Sequence, residues 1–202
     1  MLTELPECTI NAQLPPSGEV YYWRSLTAEP RSRELFNGLR QDLDWRQLPV
    51  TMFGRSIPQP RLTDFLGDPG VTYRYAGLTL EARPWTNDLA QLRRLVEDKV
   101  GHRFNSVLCN LYRDGRDYMG WHADNEPELG PNPVIASLSF GARRRFTLKP
   151  RSGQQERVEL ALECGSLLLM RGDVQRHWLH QLPRALRVRD PRINLTFRSI
   201  AA

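Results

Sequence analysis

The chain's 202 residues are most simply one domain, long enough to bury a substantial core, and an apolar content of 40% sets it well above the disordered range. No apolar run approaches the length that spans a bilayer, and three widely spaced cysteines (Cys8, Cys109 and Cys164) without a CxxC support neither a disulfide framework nor a structural zinc site. The net charge of +5, carried by 28 basic residues of which only Lys99 and Lys149 are lysines, favours a polyanionic partner, nucleic acid first.

Residues 1–20 hold Pro6, Pro15 and Pro16 with little periodicity, and are expected to form a loose arm ahead of a single domain over 21–202. The opening MLTELPECTINA lacks a basic stretch followed by an apolar core, so the expectation is an intracellular protein: cytoplasmic in a bacterium, nuclear in a eukaryote. Leu35, Phe36, Leu39 and Leu43 recur at helical spacing within 28–44. MFGRS and TYRYAGLTL read as strands separated by a loop rich in Pro, Gly and Asp. A second helix is predicted over 87–100, with Leu89, Leu92, Leu95, Val96 and Val100 on one side and Thr86 or Asn87 as its cap.

From 105 onward the pattern changes to short strands: SVLCNLY, VIASLSF, RRFTLK, RVELAL, GSLLLM and RINLTFR. Turn-forming DG, PNP, SG and CG separate several of them. Helices followed by strands without crossover helices predict an antiparallel sandwich or barrel with helices outside, and no internal repeat is found.

The chain has four histidines: His102, His122, His177 and His180. In GWHADNE, His122 and Asp124 are two apart and point the same way if the segment is extended. A distal histidine would complete two imidazoles and a carboxylate, the facial triad of non-haem iron(II) oxygenases. An isolated HxD also fits a surface turn in which Asp124 and Asn125 bond locally. RHWLH supplies two histidines three residues apart, which face opposite ways on a strand, and periodicity does not choose between them.

RINLTFR alternates. Ile193, Leu195 and Phe197 share one face, while Arg192, Asn194, Thr196 and Arg198 share the other. That polar face looks either at bulk water or into a pocket for carboxylates, which guanidinium forks grip in two parallel bonds. In SVLCNLY the side holding Asn110 and Tyr112 raises the same choice.

Taken in order, YRYAG, NLY, GWHAD, ASLSFG, GSLLLM, WLH and RINLTFR resemble the AlkB family of iron(II)- and 2-oxoglutarate-dependent dioxygenases, from about Phe53 to Ile200. The set is most similar to the branch that repairs alkylated bases in duplex DNA. The resemblance implies a mainly β fold with flanking helices: a double-stranded β-helix (jelly roll) core over about 104–200 and a nucleotide-recognition part over about 45–85. His122, Asp124 and His180 would hold Fe(II), with WLH selecting His180. Asn110, Tyr112, Arg192, Thr196 and Arg198 would bind 2-oxoglutarate, and Asn194 would orient that strand. Arg192 and Arg198 are six residues apart, about 20 Å between Cα atoms at ~3.3 Å per residue, so their side chains must converge. One is expected at the remote carboxylate and the other at the chelating end, with the assignment open.

The implied chemistry is oxidative dealkylation of bases such as 1-methyladenine and 3-methylcytosine. It consumes O2 and 2-oxoglutarate and releases succinate, CO2 and formaldehyde. A base buried in a duplex must first be extruded. By resemblance Tyr75 stacks on it opposite the His122 ring, Tyr73 supports the pocket or meets a phosphate, Arg74 lies between them, and Glu126 accepts from an exocyclic amine. Met52 and Phe53 before Gly54 stand where duplex-repairing relatives carry an apolar finger, with Arg55 next to it. Arg184, Arg187 and Arg189 are a candidate phosphate grip. Asn125 replaces an acid common in those relatives, which leaves strand preference and lesion open. The expected partner is alkylated DNA, duplex before single-stranded, with RNA an alternative; a monomer without membrane attachment is expected. The alternatives are an RNA or protein demethylase with the same cofactors, or a non-catalytic nucleic-acid-binding module.

Overall fold

The computed structural model describes residues 10–14, 17–52, 55–75, 77–153 and 157–201. In chain order these open with β1 (Ile10–Leu14), β2 (Gly18–Trp23) and helix α1 (Arg31–Asp42). Next come β3 (Pro49–Met52), β4 (Arg55–Pro58), β5 (Leu62–Gly67), β6 (Thr72–Tyr75) and β7 (Leu78–Glu81). Helix α2 (Asn87–Val100) leads into β8 (Ser106–Tyr112), β9 (Met119–His122), β10 (Ile135–Gly141), β11 (Arg144–Pro150) and β12 (Val158–Leu162). β13 (Leu167–Gly172), the short helix α3 (Val174–His177), β14 (Trp178–Leu182) and β15 (Arg192–Arg198) complete the fold.

The strands assemble into a seven-stranded sheet ordered β1-β2-β13-β10-β15-β8-β5 and a four-stranded sheet ordered β12-β11-β14-β9, both antiparallel. Leu108, Tyr112, Leu168 and Met170 of the larger sheet meet Phe146, Leu148, Leu160 and Leu162 of the smaller one, which makes the sandwich. The outer face of the larger sheet packs on both long helices: Cys109, Leu111, Ile193, Leu195 and Phe197 join Leu35, Leu39, Leu89, Leu92 and Val96. This is the expected jelly roll, with its helices outside.

Helix α2 follows its sequence closely. Thr86, rather than Asn87, is the cap, its hydroxyl accepting the Leu89 N–H at 3.3 Å, and Gly101 ends the helix at φ +68°. Leu89, Leu92, Val96 and Val100 are buried, but Leu95 turns outward. A larger departure lies at the N-terminus. The expected arm contributes β1 and β2 to the main sheet, and β2 sits between β1 and β13. The reason is visible in β2: Val20, Tyr21, Tyr22 and Trp23 are all buried, so both of its faces are covered and no alternation marks it as a strand.

MFGRS is not one strand. It spans the ends of β3 and β4, which pair as a hairpin, and TYRYAGLTL likewise forms the β6–β7 hairpin. Both hairpins connect to β5, the edge strand of the main sheet: Arg46 bridges to Thr63, and Arg83 bridges to Leu66. They lie outside the sandwich proper.

Candidate functional site

β15 carries the polar row along the floor of a cavity between the sheets. Its register with β8 sets Tyr112 opposite Arg192, Asn110 opposite Asn194 and Leu108 opposite Thr196. The period of two that sends Ile193, Leu195 and Phe197 toward the helices therefore turns Arg192, Asn194, Thr196 and Arg198 inward. β14 and β9 form the opposite wall, pairing His180 with His122. The cavity, about 60 Å³, is lined by all of these except the three apolar β15 residues, together with Asp124, Ser137, Arg61 and Met119.

His122, Asp124 and His180 converge, each offering a ligand atom within 4.8 Å of the others. The two imidazole rings are 4.2 Å apart, and His180 Nε2 lies 3.8 Å from Asp124 Oδ2. His122 Nδ1 donates to the Gly120 carbonyl at 2.8 Å, which leaves the Nε2 lone pair free for a metal. Phe146 stacks on His180 at 5.4 Å. Burial, reinforced by His122, pushes His180 down to about 3, so it is neutral as a ligand must be. Burial alone would raise Asp124, but the Arg198 guanidinium and both imidazoles outweigh it and hold the carboxyl well below the usual range.

Asp124 is gripped at both ends. Its carboxylate takes a 2.8 Å bond from Arg198 Nη2, and its backbone N–H donates to Gln175 Oε1 at 2.9 Å. His177 ends α3, away from the cluster, so the two histidines of RHWLH do not share a strand.

At the far end Arg192 is 2% exposed and donates to Ser139 Oγ at 2.9 Å. Its guanidinium lies 5.4 Å from the Tyr112 ring. It has no ion-pair partner among the described residues, and its Nε is buried without a hydrogen-bond acceptor. Burial pushes it down to about 10, still a cation at neutral pH. Arg198 also keeps Nε and Nη1 buried and unbonded. A row of unfilled guanidinium donors in a cavity calls for an anion with more than one carboxylate.

Between the two arginines, Asn194 donates to Ser137 Oγ at 2.7 Å, Thr196 donates to the Asn194 side-chain oxygen at 2.9 Å, and Asn110 accepts from Arg61 Nε at 2.8 Å. Tyr73 is buried over Arg198, 5.3 Å from its guanidinium, and lies beside Glu126, whose carboxyl is raised by burial and by Asp124. Arg74 points outward toward Glu128 at 3.7 Å, and Asn125 is exposed. Phe53 and Gly54 lie outside the described residues, as do the side chains of Met52, Arg55 and Tyr75.

Sequence reasoning missed three buried side chains. Arg61 locks Asn110, and Gln175 holds Asp124. Arg144, 5.8 Å from the Tyr112 ring, donates to the carbonyls of Asp114, Asp117 and Pro183. Each finds its partners far away in sequence; only the unusual density of arginine in GARRRF hinted at one of them.

Two histidines and an aspartate on the wall of a jelly roll define a mononuclear non-haem iron oxygenase. The family model of the 2OG-Fe(II) oxygenase superfamily matches residues 19–198, and the chain belongs to that superfamily. It is 41% identical over 175 residues to alpha-ketoglutarate-dependent dioxygenase alkB homolog 3 of Bos taurus, an alignment covering 82% of this chain and 60% of that protein. It is 40% identical over 200 residues to the DNA oxidative demethylase ALKBH2 of Mus musculus, covering 88% and 84%. The chain thus spans about 60% of the length of its alkB homolog 3 relatives. The solved structure of OsALKBH1 superposes with a TM-score of 0.62 at 17% identity, covering 94% of this chain and all of that one, which supports the fold.

The family's cofactor complement is Fe(II), 2-oxoglutarate and O2. The residues fit it: two imidazoles and a carboxylate bring ligand atoms within 4.8 Å of one another, and the unbonded guanidinium nitrogens suit a dicarboxylate.

Proposed function

We propose that the protein repairs DNA by oxidative removal of N-alkyl groups such as those of 1-methyladenine and 3-methylcytosine. The observation that carries its oxygenase chemistry is a buried guanidinium with no counter-ion among the described residues, Arg192, in the same cavity as a two-histidine, one-aspartate cluster. His122, Asp124 and His180 would hold the iron. Arg192 and Tyr112 take the remote carboxylate of 2-oxoglutarate. Arg198, already committed to Asp124, serves the metal end, and Asn110 and Thr196 bond between them. The bound iron supplies the oxidation of the alkyl carbon, coupled to 2-oxoglutarate decarboxylation.

The chain's own residues do the rest. The helix-packed side of the main sheet keeps water from the floor of the cavity. Tyr73 and Glu126 sit beside the cluster where an extruded base would enter, with Glu126 offering a carboxyl oxygen that lacks a bonding partner. The relatives named DNA oxidative demethylases support alkylated DNA as the substrate class.

Formaldehyde release from methylated oligonucleotides tests the reading. His180→Ala is expected to abolish turnover while His177→Ala retains it, and the reverse would show the wrong ligand. Running the same lesion in duplex DNA, single-stranded DNA and RNA separates the DNA reading from an RNA demethylase. Retained nucleic-acid binding with no succinate formed from 2-oxoglutarate would instead identify a binding module.

A further inference from the structure

β9 ends at His122, so Asp124 lies beyond the regular ladder in a connecting segment. A ligand there has no strand to hold it. Its backbone N–H is nevertheless buried and bonded, to the side-chain oxygen of Gln175 at 2.9 Å, across 51 residues of chain. Gln175 is itself 1% exposed, and its amide nitrogen points to the Met170 sulfur at 3.7 Å, where Met170 lines the cavity. It sits on α3, the single turn between β13 and β14, five residues before His180.

That turn is fixed from outside. The Ser17 hydroxyl bonds the Asp173 carboxylate, Asp173 N–H reaches the Ser17 carbonyl at 3.4 Å, and Gly18 packs so closely that a Cβ there would stand 3.0 Å from Val174.

From this geometry we infer that Gln175 is a positioning residue for the metal centre, an inference that rests on the metal assignment proposed above. One amide ties the segment bearing Asp124 to the connection that delivers His180, so beyond the β9–β14 pairing that ends at His122 the spacing of these two ligands is held by this strut. Arg198 aims the carboxylate, and Gln175 fixes the backbone from which it swings. Without the strut the Asp124 N–H is buried and unbonded, and the segment must move to satisfy it. Partners that orient metal ligands typically alter affinity by about 10–100-fold when removed.

The test is Mn(II) binding to the metal-free protein, followed through the electron paramagnetic resonance signal of the free ion. Gln175→Met fills the same space without a strong acceptor, and is expected to weaken Mn(II) at least tenfold while its metal-free form still melts cooperatively. Gln175→Glu retains an acceptor oxygen and is expected to stay within tenfold of the unaltered protein. A loss under tenfold for the methionine variant, or an equal loss for the glutamate variant, overturns the inference. Should the methionine variant not fold, Gln175→Asn, which withdraws the amide by one methylene, is held to the same tenfold criterion. Mn(II) affinity that survives Asp124→Ala would overturn the metal assignment itself.

Discussion

Arg192 is the residue whose physics is most exposed to experiment. A buried cation with no counter-ion among the described residues costs stability until an anion binds. Replacing it with methionine is therefore expected to act with opposite signs on stability and function. The ligand-free protein should gain about 1–3 kcal/mol in urea denaturation, while the KM for 2-oxoglutarate should rise at least ~100-fold, about 3 kcal/mol of lost charge pairing. A variant that loses stability, or that keeps its KM, would show that Arg192 is only a structural contact with Ser139. That Arg192, Asn194, Thr196 and Arg198 share a face was legible in RINLTFR because a period of two needs no knowledge of the fold, whereas the choice between water and a pocket came from the family resemblance. Gln175 and Arg61 were not, because nothing local distinguishes a buried amide or arginine from a solvated one until its partner is brought across the sheet.

At the scale of elements, the join between α2 and β8 shows how secondary structure is locked to the sandwich. Glu97, near the end of α2, is 4% exposed and accepts the Phe104 N–H at 2.8 Å, Arg93 Nε at 2.9 Å and Arg103 Nη1 at 2.7 Å. Burial favours its neutral form, but the Phe104 amide and the two guanidiniums prevail and lower its pKa. A depressed carboxylate stabilises the fold above its unfolded value of about 4.3 and loses that contribution as pH falls through the lower folded value. Glu97→Gln is accordingly expected to cost about 2–3 kcal/mol at pH 7, with the gap to the unaltered protein closing as the pH drops below about 4 in chemical denaturation. A gap that persists in acid would mean that packing, not charge, is responsible. Helix α2 was readable because its apolar spacing and its Thr cap agree. β1 and β2 were not: prolines masked them, and a strand buried on both faces shows no alternation.

Across the whole molecule, the apolar residues that join the two sheets surround a cavity in which the side chains of His180, Arg192 and Arg198 are incompletely bonded. Mn(II) with 2-oxoglutarate should therefore raise the melting temperature. At a hundredfold excess over its dissociation constant a ligand contributes about 2.7 kcal/mol, roughly 5–11 °C for a chain of this size. Calorimetry with each alone and with both together checks this, and no shift with both would remove the case for a shared cavity.

Arg46 and Arg83, which flank the β3–β4 and β6–β7 hairpins, bridge to the edge strand β5, and Tyr73 of β6 packs into the sandwich, whereas β15 is an interior strand between β10 and β8 with helices behind its apolar face. Change is thus permitted unequally. Exposed positions of the hairpins, Arg74 among them, can change without touching the His122–Asp124–His180 cluster, while almost any alteration along β15 is answerable to two neighbouring strands at once. A scaffold divided in this way tolerates variety at its margin while its interior stays unvarying.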